Sequence, residues 1–290
     1  MSRIVYVNGD FLPEEDARIS IFDRGFIFAD GIYEVSAVIG GRLIDNNAHH
    51  ARLRRSCGEI SLPLPWSDDE LTAIQQELIA RNRLNEGGVY MQVTRGVADR
   101  DFPFPKAATP SLVMFTQARN LSQAPQAVTG IRAISVPDLR WKRRDIKSVA
   151  LLAQVLAKQA AAEAGAGEAW MVEDGVVTEG ASSTCWIVTA DRKLVSRPLS
   201  NAVLPGITRM AVLRLLEEQA RGEGLTFEER AFTLDEALAA DEAFITAASS
   251  LVMPVVEIDG QRIGGGQPGP VARRLREIYL EAAKAGGPLG

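Results

Sequence analysis

Two kinds of side chain that build many active sites are scarce in this 290-residue chain, which has two cysteines and two histidines. Cys57 and Cys185 supply neither a disulfide framework nor the spacing of a zinc site, and their scarcity points to a reducing compartment. His49 and His50 are sequence neighbours that would not share a helix face. A zinc centre or a Ser-His-Asp apparatus therefore lacks parts, and no metal site is expected. Positive charge is not in excess either: 32 Lys and Arg against 37 Asp and Glu give a net charge of -5, which opposes general nucleic-acid binding. The opening MSRIVYVNGD has no signal core and no apolar run is long enough to span a bilayer, so a cytoplasmic protein without a membrane partner is expected. Phosphate-loop and dinucleotide fingerprints are missing, and Gly180-Ala-Ser-Ser-Thr184 lacks the second glycine of a nucleophile elbow. ATPase, simple dehydrogenase and serine hydrolase readings drop out. A small-molecule partner is favoured, on a globular chain long enough for one large domain or two ordinary ones.

What is present reads as an α/β (α+β) chain. RIVYVNGDFL predicts a hairpin turning at Asn8-Gly9, and GIYEVSAVIGGRLID two strands joined at Gly40-Gly41. Helices are predicted at 49–60 and, with Ser67 as N-cap, at 68–82, followed by the strands VYMQVTRG and SLVMFTQA. Residues 119–130 lose apolar periodicity and contain Pro125 and Gly130. We place a linker there, between an N-terminal domain of residues 1–118 and a C-terminal domain of residues 131–290. The latter is predicted to hold the strand IRAISVP, a helix over 148–164, hairpins turning at Asp174-Gly175 and near Asp191, and a helix over 208–221. The strands of EAFITAASSLVMPVVEIDG and a terminal amphipathic helix complete it.

Chemistry concentrates in a few stretches. LRWKRRDIKSVALL (139–152) crowds Arg140, Lys142, Arg143, Arg144 and Lys147 ahead of an apolar run, a pattern that is by default a solvated face. Lys147 differs in standing at the start of the predicted helix, where the dipole, Arg143 and Arg144 all disfavour a charged amine. Two readings stay open: a nucleophilic amine able to form a Schiff base with a carbonyl, or a lysine whose stem lies along the sheet and whose ammonium reaches solvent. The four other cations read as surface or interface charges. Glu179 in VVTEGASST either pairs with a surface cation or, beside a pyridine ring, keeps the ring nitrogen protonated and makes the ring an electron sink. Gly180, Ala181, Ser182 and Ser183 let the backbone approach an anion closely. Gly206, Ile207 and Thr208 open a predicted helix, as plain caps or as an anion site. Thr246 to Ser250 end a strand in small and hydroxyl residues, and Arg52 could add a fork-shaped donor.

Five segments carry a family resemblance by their order and spacing: DRGFIFADGIYEV (23–35), YMQVTRGVADRDFP (90–103), DIKSVALLAQVLAKQ (145–159), VTEGASST (177–184) and LPGITR (204–209). Over nearly its whole length the chain resembles the class IV, fold-type IV aminotransferases that use pyridoxal 5'-phosphate, and within them it is most similar to the D-amino acid aminotransferases. The resemblance implies a two-domain homodimer with the cofactor in the cleft between the domains. It implies ping-pong transfer of an amino group from a D-amino acid, such as D-alanine or D-glutamate, to a 2-oxo acid, 2-oxoglutarate or pyruvate. Branched-chain L-amino acid aminotransferase, (R)-selective amine transaminase and aminodeoxychorismate lyase are the alternatives within the family. By the same resemblance Lys147 holds the cofactor aldehyde and shuttles the proton, Glu179 pairs with the pyridine nitrogen and Leu204 packs on the ring. Arg52, Ile207 and Thr208 hold the phosphate, Ser183, Thr184 and Gly206 belong to the cofactor site, and Thr246 or its neighbours Ala247 and Ala248 close the cup. Tyr33 stands near the substrate, and Arg100 binds its carboxylate from a loop of the partner subunit. Two positions depart from the family pattern: Phe102 stands where the D-specific enzymes place a histidine, and Thr184 where the signature has asparagine.

Overall fold

The computed structural model describes residues 2–219 and 224–286. The chain divides into two compact units, residues 1–120 with 146–150 and residues 121–145 with 151–290.

In the first unit, β1 (Ile4–Val7) and β2 (Asp10–Pro13) meet at Asn8-Gly9, whose φ angles of 50° and 117° are the positive pair a tight hairpin turn demands. There follow α1 (Arg24–Phe28), β3 (Gly31–Ile39), β4 (Arg42–Leu43), α2 (Asn46–Glu59), α3 (Asp68–Arg81), β5 (Glu86–Thr94) and β6 (Ser111–Ala118). The strands form one antiparallel sheet in the order β2-β1-β6-β5-β3-β4. Strand alternation puts Tyr6, Ile32, Met91, Val93, Leu112 and Met114 on one face, where Leu53 and Cys57 of α2 and Leu71 and Leu78 of α3 bury them. Ser67 caps α3 as predicted, and Glu70 completes a capping box.

Since β4 covers only Val38 and Ile39 of β3, the start of that strand has an open edge. Residues 146–150 fill it: the Tyr33 N–H donates to Lys147 O at 3.0 Å, the Val149 N–H to Gly31 O at 3.1 Å, and Ile32 bridges Ser148. Backbone groups paired sideways in this way are not available to a helix. The helix predicted from Ser148 accordingly begins only at Leu152.

Buried polar groups hold the 95–104 loop. Asp23 accepts from the Gly25 N–H at 2.8 Å and from the hydroxyls of Thr94 and Ser111 at 2.9 and 2.7 Å, and Asp30 pairs with both Arg24 and Arg95. Arg24 also donates to the Asp101 carbonyl. Gly96 has φ +89°, and a Cβ there would lie 1.9 Å from Thr109 O. Gly96→Ala is expected to cost about 2 kcal/mol or more, read as a lowered urea midpoint with an unchanged m-value.

The second unit contains α4 (Pro125–Thr129), β7 (Ile131–Pro137), α5 (Leu152–Glu163), β8 (Glu168–Glu173), β9 (Val176–Gly180), β10 (Thr184–Val188), β11 (Lys193–Ser196), α6 (Ile207–Gln219), β12 (Thr226–Glu229), α7 (Leu234–Leu238), β13 (Glu242–Ala247), β14 (Leu251–Ile258), β15 (Gln261–Arg262) and α8 (Pro270–Ala285). Among the described residues its sheet runs β12-β11-β10-β13-β14-β7-β8-β9, with β15 beside β14. The pairs β7–β8, β7–β14 and β11–β12 are parallel and the others antiparallel. Trp170, Val177, Ile187, Phe232 and Ile245 lie in its main core.

The units divide the chain differently from the sequence-based boundaries at two places. The expected linker contributes α4 and, from Leu121 on, belongs to the second unit, where the buried Arg276 of α8 donates to the carbonyls of Leu121 and Ser122. The stretch carrying Lys147 goes with the first unit. Arg221, the predicted end of α6, lies outside the described residues. No helix among the described residues is long and apolar enough to cross a membrane.

Candidate active site

Lys147 projects from the extended segment along the β3 edge. Its Nζ lies 4.1 Å from the centroid of the Tyr33 ring, and its own N–H donates to Ser56 Oγ at 3.4 Å. Tyr33 stacks on Tyr90 at 5.6 Å, and Tyr90 on Phe115 at 4.7 Å, so an aromatic row crosses the sheet from the lysine. Burial, with the Tyr33 hydroxyl behind it, pushes the Tyr90 phenol above its ordinary range.

The neighbouring residue on β3, Glu34, points to the opposite face and into a buried ion cluster. Arg52 donates to it through Nε and Nη2 at 2.7 and 2.8 Å, and His49 through Nδ1 at 2.7 Å. Burial raises the Glu34 carboxyl, but the charge and hydrogen bonds of Arg52 and the contact with His49 outweigh it and hold the group far below the usual carboxylate range. Arg52, expected at a phosphate, thus has two guanidinium nitrogens engaged by a carboxylate that sequence reasoning missed. Arg100 lies exposed on the 95–104 loop, with its guanidinium 5.5 and 5.6 Å from the rings of Phe28 and Phe102. Phe102 is 74% exposed. Within the chain Arg100 meets these rings rather than Tyr33.

In the second unit Glu179 is buried at the end of β9. The Leu204 N–H approaches its Oε1 and Oε2 at 3.3 and 3.1 Å, and Arg140 Nη1 bonds Oε1. Burial pushes the Glu179 carboxyl up, and Arg140 and the Leu204 N–H pull against it. Arg140 in turn forks onto Asp138 through Nε and Nη2 at 2.9 and 2.7 Å. Arg140 and Arg144, expected as surface or interface charges, are instead buried within the chain: their side chains are 6% and 1% exposed, because Asp138, just after β7, Glu179 of β9 and Glu173 of β8 converge on them. Lys142, at 82%, is the surface cation expected.

The segments read as an anion cup do come together. Thr184 and Thr246 face each other in the β10–β13 register, and Thr246 Oγ1 accepts from Trp186 Nε1 at 2.9 Å. A Cβ on Gly206 would lie 2.7 Å from Thr184 Oγ1, so that residue can only be glycine without a shift of Thr184. Ile207 and Thr208 form the first turn of α6, whose leading N–H groups have no partner inside the helix, and Ala247 ends β13. Ser183 turns away: its hydroxyl donates to Glu168 Oε2 at 2.8 Å, which fixes the turn after Gly180.

A helix start, two threonines and a cramped glycine suit a phosphate, and a buried carboxylate with one lightly used oxygen suits a cationic ring nitrogen. The chain matches the amino-transferase class IV family over residues 31–258 and belongs to it. It is 42% identical over 285 residues to the D-alanine aminotransferase of Bacillus licheniformis, covering 97% of this chain and 99% of that one. It is 39% identical over 275 residues to the D-alanine aminotransferase of Staphylococcus haemolyticus, covering 95% and 96%. Among solved structures, a T.th. branched-chain amino acid aminotransferase with pyridoxamine 5'-phosphate aligns at TM-score 0.87 and 26% identity, over 99% of this chain and 96% of that one. The branched-chain aminotransferase of Thermoproteus uzoniensis with norvaline aligns at 0.86 and 24%, over 98% and 96%, which shows a shared fold.

Proposed function

We propose that this protein is a cytoplasmic, homodimeric D-amino acid aminotransferase. It binds pyridoxal 5'-phosphate and passes the amino group of D-alanine or D-glutamate to 2-oxoglutarate or pyruvate. What carries the reading is identity near 40% along essentially the whole chain with proteins that are D-alanine aminotransferases. The bound cofactor supplies an aldehyde for amine exchange and a ring that takes up electron density from the α-carbon.

The chain's own groups divide the work. Lys147 Nζ would hold the cofactor through its aldehyde and, as a free amine, would carry the α-proton. Tyr33, against that amine, fixes its direction of approach. Glu179 offers Oε2 to the ring nitrogen, since a buried carboxylate favours a cationic partner. Leu204 packs on the ring while its N–H orients Glu179. Arg52, Gly206, Ile207, Thr208, Thr246 and Ala247 hold the phosphate, with Thr184 beside Gly206. Arg100, offered from the partner subunit, takes the substrate carboxylate, and Phe102 leaves that interaction without a histidine.

A stopped-flow half-reaction panel with D-alanine, D-glutamate, L-leucine and (R)-1-phenylethylamine tests this by following loss of the cofactor's visible band. D-Alanine and D-glutamate are expected to react at least about a hundredfold faster than the other two. Reaction with L-leucine and with neither D-amino acid would overturn the reading in favour of a branched-chain enzyme.

A further inference from the structure

The two carboxylate oxygens of Glu179 are unequally used. Oε1 accepts from Arg140 Nη1 and weakly from the Leu204 N–H, whereas Oε2 meets that N–H alone among the described residues, at 3.1 Å. The reason lies one step further back. Arg140 carries its donors in a rigid planar fork that prefers a bidentate carboxylate, and Glu179 is not the carboxylate that receives it. Asp138 does, at 2.9 and 2.7 Å. Asp138 is held in turn: its N–H donates to Val172 O at 2.9 Å, and the buried Thr178 hydroxyl lies 2.6 Å from Oδ2. Arg144 Nη1 stands 3.3 Å from the same oxygen, and the Asp138 side chain has no exposed surface.

We propose that Asp138 is a positioning residue for transamination: by occupying the fork of Arg140 it limits that guanidinium to one hydrogen bond with Glu179 and keeps Oε2 open for the N–H of the cofactor ring. The inference rests on the reading of Glu179 given above. With the Asp138 charge removed, the fork turns onto Glu179, both oxygens are taken, and the ring nitrogen loses its proton acceptor. Asp138 touches neither cofactor nor substrate in this scheme and acts only through Arg140.

The test uses holoenzyme reconstituted with pyridoxal phosphate labelled with ¹⁵N in the ring, read by the nitrogen chemical shift together with the D-alanine half-reaction. In the wild type the shift is expected at the pyridinium position. Asp138→Asn moves it towards the neutral-pyridine position and slows the half-reaction about tenfold, one pKa unit's worth, and Asp138→Glu restores both. Thr178→Val loosens Asp138 without removing a charge; it gives a smaller shift in the same direction and decides the matter if Asp138→Asn does not fold. Folded variants with the wild-type shift and rate overturn the inference. A neutral ring nitrogen in the wild type overturns the reading of Glu179 itself, and the role of Asp138 with it.

Discussion

Lys147→Ala is expected to lower the D-alanine half-reaction by at least about a thousandfold while leaving the protein folded. The split follows from how the residue is held. Its backbone, not its side chain, docks the segment: the carbonyl accepts from the Tyr33 N–H and the N–H donates to Ser56 Oγ, and alanine keeps both. The amine has a ring contact with Tyr33 and no salt bridge among the described residues, so stability should change by less than ~1 kcal/mol. No other amine on the nearby stretches is uncommitted, because Lys142 pairs with Glu173, and Lys158 with Glu168 and the Gly167 carbonyl. Purified Lys147→Ala should therefore lack the visible band of protein-linked cofactor, yet melt within about 3 °C of the wild type. A variant that keeps both band and turnover removes Lys147 from the mechanism.

Lys147 also shows where the sequence was legible and where it was not. Its proposed role rests on the ordered set of motifs around it, while the local argument for it, a place at a helix start, does not hold. Ser148 is a good N-cap by type, but the edge of β3, more than a hundred residues earlier in the chain, takes the backbone groups that the helix would need. Elements with self-contained signals fared differently. The hairpins turning at Asn8-Gly9 and Asp174-Gly175 and the capped helix α3 are where period and turn residues put them, since nothing distant competes. The basic cluster splits for the opposite reason. Arg140 and Arg144 look like Lys142 in sequence, and only strands β8 and β9, which bring Glu173 and Glu179 to the end of β7, make them buried pairs. The DRG, ADG and TRG stretches were legible as a resemblance but not as a device. Their Asp23, Asp30, Arg24 and Arg95 prove to be the clamp on the 95–104 loop.

Glu34 gave no functional signal in the sequence, yet Glu34→Gln is expected to destabilise the protein by about 3–5 kcal/mol. The substitution keeps size and shape but removes the negative charge that two nitrogens of the Arg52 guanidinium meet, on a side chain 7% exposed. It also gives the His49 Nδ1–H a weaker acceptor. In thermal melts this amounts to roughly 10 °C or more. The pH dependence has a defined sign. The Glu34 carboxyl is depressed in the folded state, so its contribution is complete above the unfolded-state value of about 4.3 and is lost as pH falls towards the folded value. Between neutral pH and pH 3 the wild type should lose stability more steeply than Glu34→Gln, and equal slopes would contradict the ion-cluster account. A triple variant, Glu34→Leu with His49→Leu and Arg52→Met, leaves no uncompensated charge and should recover most of the lost stability. Its affinity for pyridoxal phosphate should not recover if Arg52 also serves the phosphate. Urea midpoints and cofactor titrations on the same three proteins thus separate what Arg52 does for the fold from what it does for the site.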